Sequence, residues 1–163
     1  MAQSDMFFKA SGQRTGEILG ESRDKQFPDL IEIAGWNWGM SAPTAVGGSR
    51  TGRTLMQALK IVKRADRAST SLMSVMKNNE FLTTAVLSVR KAGGMPLPYF
   101  VVTLSQARIT SYAVSSGIAS DGAPALMEEL SLSFKSISIE YSIQSAQGAS
   151  QASSSFMGEA APE

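Results

Sequence analysis

The strongest constraint on the fold is an apolar alternation of period two that slips by one residue at two places. Residues Leu30 to Met40 read LIEIAGWNWGM, with Ile31 and Ile33 on one parity and Trp36 and Trp38 on the other. Along Leu126 to Ile143, Leu126, Leu130, Leu132 and Phe134 share one parity, whereas Ile137, Ile139, Tyr141 and Ile143 share the other. Side chains of a strand point alternately to opposite faces, so a one-residue slip carries every later side chain across the sheet. A β-bulge has this effect, and glycine is frequent at such sites. The sequence therefore predicts bulges at Ala34 or Gly35 and near Lys135, each bending its strand.

The rest of the chain fits the same plan. Met6 to Phe8 predicts a short early strand, and the Gly- and charge-rich stretch Ser11 to Gln26 predicts turns. Arg53 to Lys63, Thr83 to Lys91, Leu97 to Ser105 and Arg108 to Val114 alternate as strands. Gly93 and Gly94 suit a tight hairpin between the second and third of these, and the last three read as an antiparallel meander. One short helix follows Ser69 and Thr70, which are N-cap residue types. It carries Leu72, Met73, Val75 and Met76 at helical spacing, with Asn78 and Asn79 as stops. The fold class expected is mainly β: a small antiparallel β-barrel with bulged strands and one short flanking α-helix. In Leu97 to Leu104 both faces are apolar, so the outer face needs cover from the helix or from another subunit. Residues 41 to 53 and 115 to 124 have loop composition. The expected organisation is a barrel domain over 1–143 and a flexible tail over 144–163, whose Ser, Ala and Gln content cannot repay its ordering entropy.

Composition narrows the chemistry. The 163 residues contain no histidine and no cysteine, which removes the usual general base near neutral pH, the commonest metal ligands and any thiol nucleophile. The sequence thus predicts no catalytic residues, no metal and no cofactor. Fifteen basic residues against 14 acidic ones give a net charge of +1, too little to draw the chain onto nucleic acid or a lipid surface as a whole. The N-terminal residues lack the basic and apolar regions of a secretory signal, and no apolar run has membrane-spanning length. These features leave the compartment open; the expectation is that the chain, if it leaves the cell, does so without a cleaved signal and without membrane insertion.

Each motif that could carry chemistry also has a plainer structural explanation. Residues 47 to 54, GGSRTGRT, match the phosphate-loop pattern except that Arg53 replaces its lysine. That cradle needs a helix after the loop, and an alternating segment follows instead. Lys60, Lys63, Arg64 and Arg67 form a local cationic cluster. Its functional reading is a nucleic-acid-binding β-barrel, and its plain reading is a solvated face with no interleaved aromatic platform. Glu128 and Glu129 point to opposite faces of a strand and cannot act as a carboxylate pair. The abundant serines lie in no nucleophile elbow and would need a lysine base. Leu72, Met73 and Met76 read as a packing face, and Trp36 and Trp38 as core or interface aromatics with Asn37 turned the other way.

Several runs, in order, resemble the haemolysin-coregulated protein (Hcp) family, the tube subunits of bacterial type VI secretion systems. They are DMFFK at Asp5 to Lys9, GESRDK at Gly20 to Lys25, IEIAGWNWGM at Ile31 to Met40, STSLMSVM after Asp66, AVLSVRKAGG at Ala85 to Gly94 and ELSLSFKSISIEY at Glu129 to Tyr141. The resemblance implies a β-barrel with a flanking helix, assembled as a homohexameric ring that stacks into a hollow tube. It also implies a contractile sheath, a trimeric spike and small effector proteins held non-covalently in the lumen as partners, with export through the type VI apparatus and no cofactor. By match of position, Asn37 is implied to face the lumen and its cargo. The loop from Ala42 to Arg53, with Thr44, Val46, Gly47, Gly48, Ser49 and Arg50, is implied to contact the next ring.

Overall fold

The computed structural model describes residues 5–44, 47–48, 54–91, 97–119, 121–144 and 150–160. In chain order the elements are β1 (Met6–Gly12), β2 (Gly16–Ile18), β3 (Ile31–Glu32), β4 (Gly35–Asn37), β5 (Met40–Ser41), β6 (Leu55–Met56) and β7 (Leu59–Arg64). There follow α1 (Ser69–Lys77), β8 (Leu82–Arg90), β9 (Pro98–Ser105), β10 (Arg108–Ile118), β11 (Pro124–Ser133), β12 (Ser136–Gln144) and β13 (Ser150–Glu159). The first sheet has the order β13-β12-β9-β8-β1-β2, with β3 also on β1; the second has the order β10-β11-β7-β4; β5 and β6 form a separate ribbon. Every ladder is antiparallel. The mainly β class with one short helix is as the sequence predicts. The sheets do not close into a barrel, however, because β13 and β2 end one path and β10 and β4 the other.

Both slips in the alternation are places where the chain changes sheets. The Ile33 amide donates to the Met6 carbonyl in the first sheet (3.0 Å), and the next amide, Ala34, donates to Val62 in the second (2.8 Å). Ile33 is buried, and Trp36 then stacks across the interior on Phe100 of the opposite sheet, with ring centroids 5.5 Å apart. Near Lys135 the chain passes from β11 to β12 in the same way. Leu132 and Ile137 are both buried on either side of this corner, although their parities differ. The expected bulges are therefore corners: a strand that turns from one sheet into the facing one must switch parity to keep its apolar side chains inward.

A third corner corrects the expected meander. β8 and β9 pair as predicted, but β10 leaves for the second sheet. Gln106 takes a left-handed backbone (φ 46°), and Leu82 donates its amide to Ala107 (2.8 Å), so the segment turns onward instead of folding back. This corner lies beside the β11–β12 corner, where Ser105 pairs with Ser136 and Arg108 with Ser133. Strands β9 to β12 thus form one long bent ribbon spanning both sheets. Between the sheets lie Phe8, Ile33, Ile61, Leu87, Leu104 and Leu132, all buried. Each fully buried side chain of this size contributes roughly 1.5–3 kcal/mol.

The C-terminal expectation is also corrected: residues 150 to 159 form a strand on β12, from Ser136 opposite Glu159 to Gln144 opposite Ser150. A low-hydrophobicity composition weighs only side chains, whereas adding a strand to an open edge satisfies main-chain groups whatever the sequence. Phe156 supplies the apolar anchor, its ring 6.4 Å from that of Trp38. Helix α1 buries Ser69, Leu72 and Val75 and leaves Met73 exposed. Asn79 stops it in the left-handed region (φ 52°). It packs along β10, not over β9, so the outward Val101 stays half-buried, while Tyr99, beside a register shift in the β8–β9 ladder, turns to the core and meets Tyr141 edge-on.

Candidate assembly surfaces

Asn37 sits on the outer face of the second sheet. In β7, Leu59, Ile61 and Lys63 point inward and Lys60, Val62 and Arg64 outward, and Asn37 lies opposite Lys60. Its side chain is exposed, while Trp36 and Trp38 are half-buried toward the core, as their parity predicts. Around it the face carries Lys60, Ser111, Ala113, Glu129 and Ser131. Val62 and Met127 are its larger apolar members, and both are half-buried. A face of small and hydrated side chains suits sliding contact with water or with a loosely held partner better than permanent burial.

The loop after Met40 stands on the β5–β6 ribbon, where Met40 pairs with Met56 and Ser41 with Leu55. The Gln57 amide donates to Gly39 (2.9 Å) and closes the base. Thr44, Gly47 and Gly48 are exposed, and both glycines take left-handed φ values of 99° and 90°, which their missing Cβ permits. Val46, Ser49 and Arg50 lie outside the described residues. Residues 55 and 56 continue as a strand, so the helix a phosphate loop requires is replaced by β6. Beside the ribbon runs an apolar groove of about 700 Å³, lined by Met40, Thr44, Thr54, Met56, Phe156 and Met157 among others.

The cationic cluster seen in the sequence does not form one face. Lys60 and Arg64 point outward, and Arg67 donates to the Gly20 carbonyl (2.5 Å) and to Asp29 (3.0 Å). Lys63 is 1% exposed: its Nζ lies 2.5 Å from Glu128 Oε1, 3.0 Å from Asp66 Oδ1 and 3.3 Å from Ser69 Oγ. The Ser69 hydroxyl donates to Glu128 Oε1 (2.7 Å) and accepts the Asp66 amide (2.9 Å), tying the first turn of α1 to β7 and β11. Burial pushes the Glu128 carboxyl up, but Lys63, Ser69 and the nearby Tyr112 outweigh it and hold the group below its ordinary range. Burial, and then the Glu128 charge, raise the Tyr112 phenol. Sequence reading missed this network, although a signal was present: Lys63 falls on the Leu59–Ile61 parity and Glu128 on the Leu130–Leu132 parity. A charge on an apolar parity predicts a buried pair.

A second cluster gathers three of the quoted runs. Arg90 is buried, donates to Asp5 (3.0 Å) and grips Asp24 through both terminal nitrogens. Its guanidinium lies 5.2 Å from the Phe7 ring and 5.8 Å from the Phe27 ring, which stack on each other at 4.7 Å. DMFFK, GESRDK and the Val-Arg-Lys run thus meet at one place, where residues 20 to 30 cap the outer face of the first sheet. Gly20 permits this, since a Cβ there would stand 2.5 Å from the Leu30 carbonyl. Among the described residues, no group of three or more acidic side chains could hold a metal, and no helix is long and apolar enough to cross a membrane.

The sequence model of the family described as "Type VI secretion system effector, Hcp" matches residues 7–141. This chain belongs to the Hcp family. The Pseudomonas aeruginosa protein hcp1 is 34% identical over 149 residues, covering 89% of this chain and 87% of that protein. Solved Hcp structures share the fold. The type VI secretion system effector from Yersinia pestis superposes with a TM-score of 0.74 at 22% identity, over 95% of this chain and 99% of that one. Hcp1 from E. coli EAEC 042 gives 0.72 at 17% identity, over 94% and 97%. The family match spans all six quoted runs apart from Asp5 and Met6 at the start of the first. It places the chain in a family of β-rich type VI secretion proteins.

Proposed function

We propose that this chain is a structural tube subunit that assembles as a homohexameric ring, stacks into a hollow tube and carries effector proteins in its lumen. The observation that carries the reading is the family match over residues 7–141, joined to a second sheet whose exposed face around Asn37 is small, polar and water-compatible. That face lines the lumen in this reading, and Asn37 meets cargo there. The exposed Thr44, Gly47 and Gly48, with Val46, Ser49 and Arg50 of the same loop, contact the next ring. The chain is cytoplasmic before assembly and leaves inside the contractile sheath, beneath a trimeric spike.

Light scattering of the purified protein tests the first step. Six copies of a 17.3 kDa chain make a particle of roughly 100 kDa. A single-chain mass at high concentration would overturn the proposal. The nucleic-acid alternative gains nothing from the structure, because Lys63 is enclosed and Arg67 is engaged within its own chain.

A further inference from the structure

The β5–β6 ribbon is a sheet of its own, with two residues in each strand and no ladder to either larger sheet among the described residues. A strand pair this short is not stable alone, so packing must hold it in place. Met40 and Met56 stand directly opposite each other on the ribbon. The Met56 methyl presses on Gly158 of β13, where a Cβ would collide with it, and the Phe156 ring flanks the same spot, 3.0 Å from where that Cβ would stand. Phe156 in turn meets Trp38. Met157 completes the groove between the ribbon and β13. Three of the seven described methionines, each from a different strand, therefore meet in one apolar groove.

With no cysteine in the chain, thioethers are its only sulfur. Met157 is 78% exposed, more than any other large apolar side chain among the described residues, and Met40 is 47% exposed. Met56 is half-buried, as are Met76 and Met127, while Met73 is exposed on α1. Hydrogen peroxide in water thus reaches two sulfurs of the groove first. It transfers one oxygen atom to a thioether: an S–O bond forms, the O–O bond breaks, the sulfur is oxidised by two electrons, and the other oxygen leaves as water with both peroxide protons. The resulting sulfoxide is polar and chiral, disrupts methionine-rich contacts, and is reversed by sulfoxide reductases.

We infer that Met40 and Met157 are a peroxide-reactive modification site, and that their sulfoxides release the β5–β6 ribbon from β13. The inference stands on the groove alone and needs no second copy of the chain. The loop carrying Thr44, Gly47 and Gly48 rises from this ribbon, so the modification acts at the base of that loop.

Graded hydrogen peroxide on the full-length protein, at one fixed concentration, followed by peptide mass spectrometry and hydrogen exchange, tests both halves. Met40 and Met157 are expected to convert several-fold sooner than Met76 and Met127. Exchange at residues 39–41 and 55–57 is expected to rise with them, while exchange in α1 stays unchanged even where Met73 is oxidised. Methionine sulfoxide reductases should restore the starting exchange. Met40→Leu with Met157→Leu should keep the ribbon protected in peroxide, and Met40→Gln with Met157→Gln, which add polarity without an oxidant, should loosen it from the start. Conversion of Met76 and Met127 as fast as Met40 and Met157 overturns the site. A ribbon that stays protected although both sulfurs are oxidised overturns the release. A leucine double variant whose ribbon still opens in peroxide assigns the effect to another methionine and overturns the inference as well.

Discussion

Replacing Lys63 with methionine should be among the most damaging single changes in this chain. The methionine fills much the same volume, so the effect isolates the ammonium. Glu128 then keeps only Ser69 as a close donor, and its second oxygen already lacks a partner. Removing one member of a buried pair costs about 3–5 kcal/mol, because the remaining charge is left without compensation. For a domain of this size each kcal/mol moves Tm by about 2–4 °C, so Lys63→Met should lower it by about 6–20 °C. Thermal unfolding followed by circular dichroism, at one fixed protein concentration so that assembly is matched, measures this directly. The pH dependence adds a second readout. In the parent protein Glu128 is held below its unfolded value, so its contribution is present above about pH 4 and is lost as pH falls through the depressed pKa. In Lys63→Met only Ser69 and Tyr112 still oppose burial and the pKa rises relative to the parent, so the deficit should shrink on acidification as the carboxyl becomes neutral. Lys63→Met with Glu128→Leu should recover most of the loss. A single variant costing under about 1 kcal/mol, or a double variant no better than the single one, would refute the reasoning.

Arg90→Leu should cost about 3–5 kcal/mol and raise hydrogen exchange in residues 20 to 30, since Asp5, Asp24 and two aromatic rings lose their shared cation; unchanged exchange there would contradict the capping role. Gly20→Ala should destabilise by about 1–3 kcal/mol in denaturant titration, because its Cβ meets the Leu30 and Ile31 backbone, which cannot swing aside. Asn37→Arg should leave particle mass unchanged and reduce co-purification of a lumen cargo, and equal retention would remove Asn37 from the lumen. Deleting Thr44 to Ser49 should spare single rings and weaken stacking in sedimentation, whereas loss of the ring itself would place the loop in a different contact.

Much of this fold is legible as parity. The longer strands up to β12, the end of the helix at Asn78 and the inward direction of Trp36 follow from period and composition alone, whereas the helix begins at Ser69 after Ala68 and not after the expected caps Ser69 and Thr70. The two slips were visible at the correct residues, yet a bulge and a corner leave the same mark. Only the hydrogen bonds of Ile33 and Ala34 to different sheets separate the two. The third corner was harder to see because two residues, Gln106 and Ala107, also suit a hairpin turn. β13 escaped notice because an open strand edge binds main chain, and that affinity has no compositional signature. Lys63 belongs to a local run of cations along the chain, whereas its partner Glu128 is 65 residues away. On the functional side, the exposure of Asn37 between two inward tryptophans was predictable. What the surface meets depends on other copies of the chain, which one sequence specifies only through the surfaces it leaves bare.

Negative-stain imaging of the purified particle tests the central claim most directly, because ring assembly and an open lumen are visible in a single class average. The account predicts annular particles with sixfold symmetry and a central opening. Compact particles without an opening, or a field of single chains at the concentration used for light scattering, would contradict it.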